Sequence, residues 1–161
     1  MRAISSFPLR AVAGLGLLLG LHGLASASPT TEHATVCRSA GDQPFAGLSF
    51  DPTGATNASG GLLQVVCPVE HTRPVNAQGL TVWVDGLVPP GSSMSCALYS
   101  TDAGGYAHAG STFSVSGASA PFDRSLSLPQ GLVPDTSGLF VTCAMPANAV
   151  LFDIEPVFPD Y

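Results

Sequence analysis

Hydrolytic chemistry needs a nucleophile, a base and a group to orient the base. Past residue 27 the chain offers serines, His33, His71 and His108, and eleven carboxylates. The spacing does not assemble them. No G-x-S-x-G elbow occurs, and Gly117-Ala118-Ser119-Ala120-Pro121, the nearest approach, lacks the final glycine. Each histidine stands isolated among polar or small residues, which suits turns and strand ends on the surface. Triad members need not be neighbours in sequence, so a hydrolase with an unrecognised site stays open as an alternative. There is no H-E-x-x-H and no dense Asp/Asn calcium loop, so no metal site and no cofactor is expected. Asp102, ahead of Gly104-Gly105, reads as an aspartate bonding its own turn. Asp153 and Glu155 stand two apart, as a pair of glycosidase carboxylates might. Leu151 would share their side while Val150, Phe152 and Ile154 face the core. A solvated acidic edge strand that discourages edge-to-edge pairing is the better reading.

The aromatic residues are more informative. In Leu80-Thr81-Val82-Trp83-Val84-Asp85 the aliphatic residues share one face, which turns Trp83 to the other, and a lone tryptophan on a wet sheet face is unusual. On the next strand Met94, Cys96 and Leu98 inward leaves Tyr99 outward. If these strands pair with Val84 opposite Cys96, Trp83 and Tyr99 become diagonal neighbours. Two such rings, with Asp85 nearby, form a candidate platform for stacking a sugar ring.

The elements that must position these side chains follow from composition and periodicity. MRAISSFPLR carries two arginines and no acid, Ala11 to Leu21 is an apolar run, and Ala25-Ser26-Ala27 closes the segment. These are the three parts of a secretory signal peptide. The run is too short for a spanning helix, which needs about 20 apolar residues. Residues 1–27 are therefore expected to be a cleaved signal, and residues 28–161 a single secreted, extracytoplasmic domain of ordinary size. That part holds three arginines, no lysine and all eleven acids. So acidic a surface repels phosphate backbones and anionic lipid, which excludes nucleic acid and, after signal cleavage, membrane as partners. Absence of lysine amid abundant alanine, glycine and proline points to a GC-rich, bacterial source.

Gly, Pro, Ser, Asn and Asp recur every several residues, leaving little room for an amphipathic helix. Between them lie runs of period two, the mark of strands with one face buried. Eight to nine short strands are expected, near 33–37, 47–50, 61–67, 79–85, 93–100, 107–115, 121–128, 138–145 and 149–155. Short turn-rich links and no helices predict an all-β fold, a single two-sheet antiparallel sandwich of jelly-roll-like kind.

Four cysteines, Cys37, Cys67, Cys96 and Cys143, all lie beyond the signal; an even number in an exported chain reads as two disulfides. None belongs to a C-x-x-C or has a histidine at metal-ligand spacing. Three pairings are possible. Cys96 and Cys143 both fall on inward strand faces, so Cys96 with Cys143, and Cys37 with Cys67, is the connectivity expected.

The segments VCR, GGLLQVVCPV, CALYS and LFVTCAMP, taken in order, resemble those of small secreted bacterial β-sandwich proteins with four cysteines, over roughly Val36 to Met145. In that group proline follows the second cysteine and the last two cysteines lie on strands. The resemblance implies export, a β-sandwich and disulfides; it brings no catalytic or binding residue and no function with it. The reading is a secreted, non-catalytic binding or surface module, with a polysaccharide or cell-surface glycan as the expected partner. A hydrolase, or a protein-interaction or inhibitor domain, is the alternative.

Overall fold

The computed structural model describes residues 32–41, 45–70, 79–118, 120–132 and 138–157. The expected signal segment, His71 and Ser119 lie outside them. Among these residues eleven strands form: β1 (Glu32–His33), β2 (Arg38–Ser39), β3 (Leu48–Asp51), β4 (Gly54–Asn57), β5 (Leu63–Val69), β6 (Leu80–Leu87), β7 (Ser93–Thr101), β8 (Ala107–Ser116), β9 (Phe122–Leu128), β10 (Gly138–Met145) and β11 (Val150–Val157). A single 3-10 turn, Ala34–Val36, separates the first two. Among the described residues no helix is long and apolar enough to cross a membrane.

The strands build the two-sheet antiparallel sandwich that the alternation predicts. Sheet A runs β3-β4-β11-β6-β9, with β1 also paired to β11; sheet B runs β2-β5-β10-β7-β8. Val82, Val84, Leu126, Leu151 and Ile154 of sheet A pack against Val65, Met94, Leu98, Val141 and Met145 of sheet B, all fully buried. Such aliphatic layers, removed from water at about 25 cal/mol per Å² of apolar surface, are the main force holding the sheets together.

Three departures from the expected elements have local causes. The strand expected at 33–37 is divided: β1 pairs with β11 in sheet A, and β2 pairs with β5 in sheet B. The 3-10 turn between them carries the chain from one sheet to the other. Strand β4, Gly-Ala-Thr-Asn, was not expected, because it holds one aliphatic side chain and no readable alternation. Its first residue must be glycine: Gly54 has φ +148°, and a Cβ there would lie 1.9 Å from the Leu151 carbonyl oxygen. Finally, β11 contains a bulge. Leu151 opposes Gly86 and Ile154 opposes Val84, so three steps on β11 match two on β6.

Both disulfides have the connectivity set out above. Cys96 and Cys143 are direct cross-strand partners on β7 and β10, bonded with Cα atoms 4.1 Å apart. Cys37, just before β2, bonds Cys67 on β5 with Cα atoms 4.0 Å apart. Both bridges therefore staple neighbouring strands within sheet B. All four sulfurs belong to the buried core.

The outer face of sheet A as a candidate binding site

Strand β6 lies between β11 and β9, and its alternation is strict: Leu80, Val82, Val84 and Gly86 are buried, whereas Thr81, Trp83 and Asp85 turn outward. Trp83 remains 38% exposed. Its cross-strand partners are Ser125 on β9 and Glu155 on β11, which lie on the same outer face. One step along, Thr81 opposes Ser127, and on the other side Asp85 opposes Asp123. The ring is thus set among hydroxyls and carboxylates. An apolar plate surrounded by hydrogen-bonding groups has the composition a carbohydrate site requires, one face for ring C–H groups and a rim for hydroxyls.

The bulge on β11 overturns the expected orientation at the start of that strand, while Asp153 and Glu155 face outward with Ile154 inward as expected. By unbroken alternation Leu151 would face outward with Asp153 and Glu155. The extra residue resets the phase, so that Leu151 and Ile154 are both buried. Asp153 and Glu155 lie beside Asp85, whose titration they influence. Nor is β11 an edge. It lies inside sheet A, paired to β6 on one side and to β4 and β1 on the other, so the acids do not serve to blunt an edge strand.

The carboxyl of Asp85 is raised to about 6 by partial burial, then by the charge of Asp123 and a hydrogen bond to it, with Asp153 and Glu155 adding to the effect. Among the described residues no ion pair to a base joins any of these four acids. His33, opposite Asp153 on β1, accepts from the Thr35 N–H at Nδ1 and so presents a donating Nε2 to the Pro52 carbonyl, 3.1 Å away.

Tyr99 is elsewhere. The expected pairing of β6 with β7 does not occur: β6 lies in sheet A and β7 in sheet B, so Trp83 and Tyr99 occupy opposite outer faces of the sandwich. Tyr99 instead opposes Phe140 on β10, and the rings stack with centroids 5.5 Å apart and planes 15° apart. Both residues are half-buried, and Pro68 and Ala109 extend the row on either side. A diagonal contact across one sheet was inferred from sequence neighbours; the chain crosses between sheets at Val88-Pro89-Pro90-Gly91 instead.

The remaining chemical candidates are engaged in structure. Asp102 Oδ1 accepts from the Gly104 and Tyr106 N–H groups, each at 2.9 Å, closing the β7–β8 hairpin. Its Oδ2 lies 3.5 Å from His108 Nε2. Ser100 is the cross-strand partner of His108, so an acid, an imidazole and a hydroxyl come together here that the sequence did not reveal. Ser100 is fully buried, however, and donates its hydroxyl to the Leu132 carbonyl, leaving no hydrogen for the imidazole to take. Among the described residues no group of three or more His, Cys, Asp or Glu side chains could hold a metal ion. Where β8 and β9 diverge, a cleft of about 290 Å³ opens, with Val88, Val115 and Phe122 among its apolar walls and Asp123 and Arg124 at its polar rim.

No family model matches the chain, and no curated protein matches it in sequence. Solved structures do resemble it. A xylan-binding module, CBM15, superposes with a TM-score of 0.54 at 10% identity, covering 83% of this chain and 99% of that one. A xylanase 10C from Cellvibrio japonicus in complex with xylopentaose gives the same TM-score and identity over 80% of this chain, which spans 28% of the xylanase's length. At this identity the likeness establishes the β-sandwich architecture.

Proposed function

We propose that the protein is an exported, non-catalytic module that binds polysaccharide through the outer face of sheet A. The observation that carries this reading is Trp83, exposed in the middle of a sheet between the hydroxyl of Ser125 and the carboxylate of Glu155. A tryptophan buries more surface than any other side chain, and leaving one in water on a flat face forgoes that gain unless something covers it. The architecture shared with a xylan-binding module supports the reading, as do two disulfides of the kind that persist outside the cytoplasm.

Retention on immobilised polysaccharides tests it, with the parent, Trp83→Ala and Tyr99→Ala compared. Trp83→Ala should stay folded and lose retention; Tyr99→Ala, altered on the opposite face, should keep it. A parent protein retained by no polysaccharide removes the reading. Loss of retention in Tyr99→Ala alone would move the site to sheet B.

A further inference from the structure

We propose that the Trp83 face takes up an uncharged sugar chain together with one proton, held between the carboxyls of Asp85 and Asp123. The inference rests on the glycan-binding reading above and adds to it the class of chain and a dependence on pH.

Asp85 and Asp123 are direct cross-strand partners on β6 and β9, and both point away from the core. Side chains so placed have Cβ atoms about 4.5–5.5 Å apart, and like charges there repel. From the other side of β6, Asp153 and Glu155 on β11 add two further carboxylates. Among the described residues, these three acids are the charged groups that face Asp85. His33 on β1 is turned to the Pro52 carbonyl, and Arg124, which shares the cleft rim with Asp123, makes no ion pair with either carboxyl. With no ion pair to a base at these carboxyls among the described residues, a proton between the two carboxyls removes the repulsion and makes a hydrogen bond of it. The raised titration of Asp85, to about 6, agrees with that geometry.

A sugar ring laid on Trp83 reaches the Asp85–Asp123 pair, which lies two residues along the same strands. Covering the pair excludes water and further favours the neutral form of Asp85. Ligand and proton then assist each other, and by reciprocity the chain raises the titration point of Asp85 as the proton raises affinity for the chain. A chain bearing uronates brings anions onto four carboxylates, and is rejected by that juxtaposition.

The test uses affinity electrophoresis of the disulfide-bonded protein in hydroxyethylcellulose, galactomannan and polygalacturonate, at about pH 5 and about pH 7.5. One linked proton changes affinity by at most about tenfold per pH unit above the transition. The expected result is retention by a neutral chain at least about fivefold stronger at the acid pH, no retention by polygalacturonate, and the same retention at both pH values in Asp85→Asn. Because Trp83 is the single tryptophan of the chain, its fluorescence supplies a readout without ligand. It should show a transition near pH 6 in the parent that disappears in Asp85→Asn. Equal retention at both pH values, or a transition that persists in Asp85→Asn, overturns the shared proton; retention by polygalacturonate overturns the class of chain. If the fluorescence transition is present and no chain is retained at either pH, it is the glycan reading that falls, and the proposal with it.

Discussion

Sheets A and B share one core, yet they are held and finished differently. Both disulfides lie within sheet B, where they join β2 to β5 and β7 to β10, and its outer rings, Tyr99 and Phe140, cover each other. Sheet A has no covalent link, carries the bulge in β11, and leaves Trp83 uncovered among acids. Its tie to sheet B at the β4 end is polar: the fully buried Asn57 donates to the carbonyls of Gly61 and Met145, at 2.7 and 2.8 Å, and accepts from Ser59. The difference separates two uses of an outward aromatic residue. Rings that pair with each other stabilise a sheet; a ring left alone beside hydrogen-bonding groups offers a surface to something else.

The largest expected effect sharpens that comparison covalently. Replacing Cys96 and Cys143 together by serine opens a loop of 47 residues, and the Cys37–Cys67 pair one of 30. The chain-entropy model gives losses of about 4 and about 3.6 kcal/mol, respectively. Denaturant unfolding measures both, and losses under about 1 kcal/mol would mean that the hydrogen-bonded ladder of sheet B suffices without its bridges.

Removing the polar tie comes next. Asn57→Ala leaves the Met145 carbonyl and the Ser59 N–H without their side-chain partner, at a cost of about 2–3 kcal/mol. An unchanged unfolding midpoint would show that water replaces the amide and that the sheets are joined by apolar packing alone.

The two aromatic faces should then separate in stability. Tyr99→Ala deprives Phe140 of its stacked partner, worth about 0.5–1.5 kcal/mol beyond buried area. Trp83→Ala should cost less than Tyr99→Ala in the same unfolding experiment. The reverse order would place Trp83 in the fabric of sheet A and break the contrast.

The smallest effects are electrostatic and of opposite sign on the two sheets. Asp85 on sheet A has its folded value raised above the ordinary 3.8 to about 6, so the folded state holds the extra proton between those values. Its contribution is fully present below the unfolded value and is lost as pH rises toward about 6. Asp102, at the tip of the β7–β8 hairpin of sheet B, is lowered by the Tyr106 N–H first, with the Gly104 N–H and His108 assisting. Its contribution is present above the ordinary carboxylate value and is lost as pH falls through its lowered folded value. Near neutral pH, Asp85→Asn should therefore raise the melting temperature and Asp102→Asn lower it. Shifts of the same sign would contradict this assignment.

Much of the fold was legible because strand alternation is a local property. Leu80, Val82 and Val84 declare the inner face of β6 and expose Trp83 wherever β6 sits, and inward Cys96 and Cys143 declare their bridge. What could not be read depends on which strands become neighbours. Sheet membership placed Tyr99 on the far side from Trp83 and made β11 an interior strand. A single extra residue between Leu151 and Ile154 turned Leu151 into the core while Asp153 and Glu155 kept the outward face, and uniform period two cannot register such a slip. The sequence by itself determined an antiparallel sandwich, its core residues and the outward tryptophan, since burying alternate apolar side chains allows few other solutions. Only the tertiary structure decided that four acids from three strands would gather around one ring, because those neighbours are chosen by pairing across distances that no local pattern encodes.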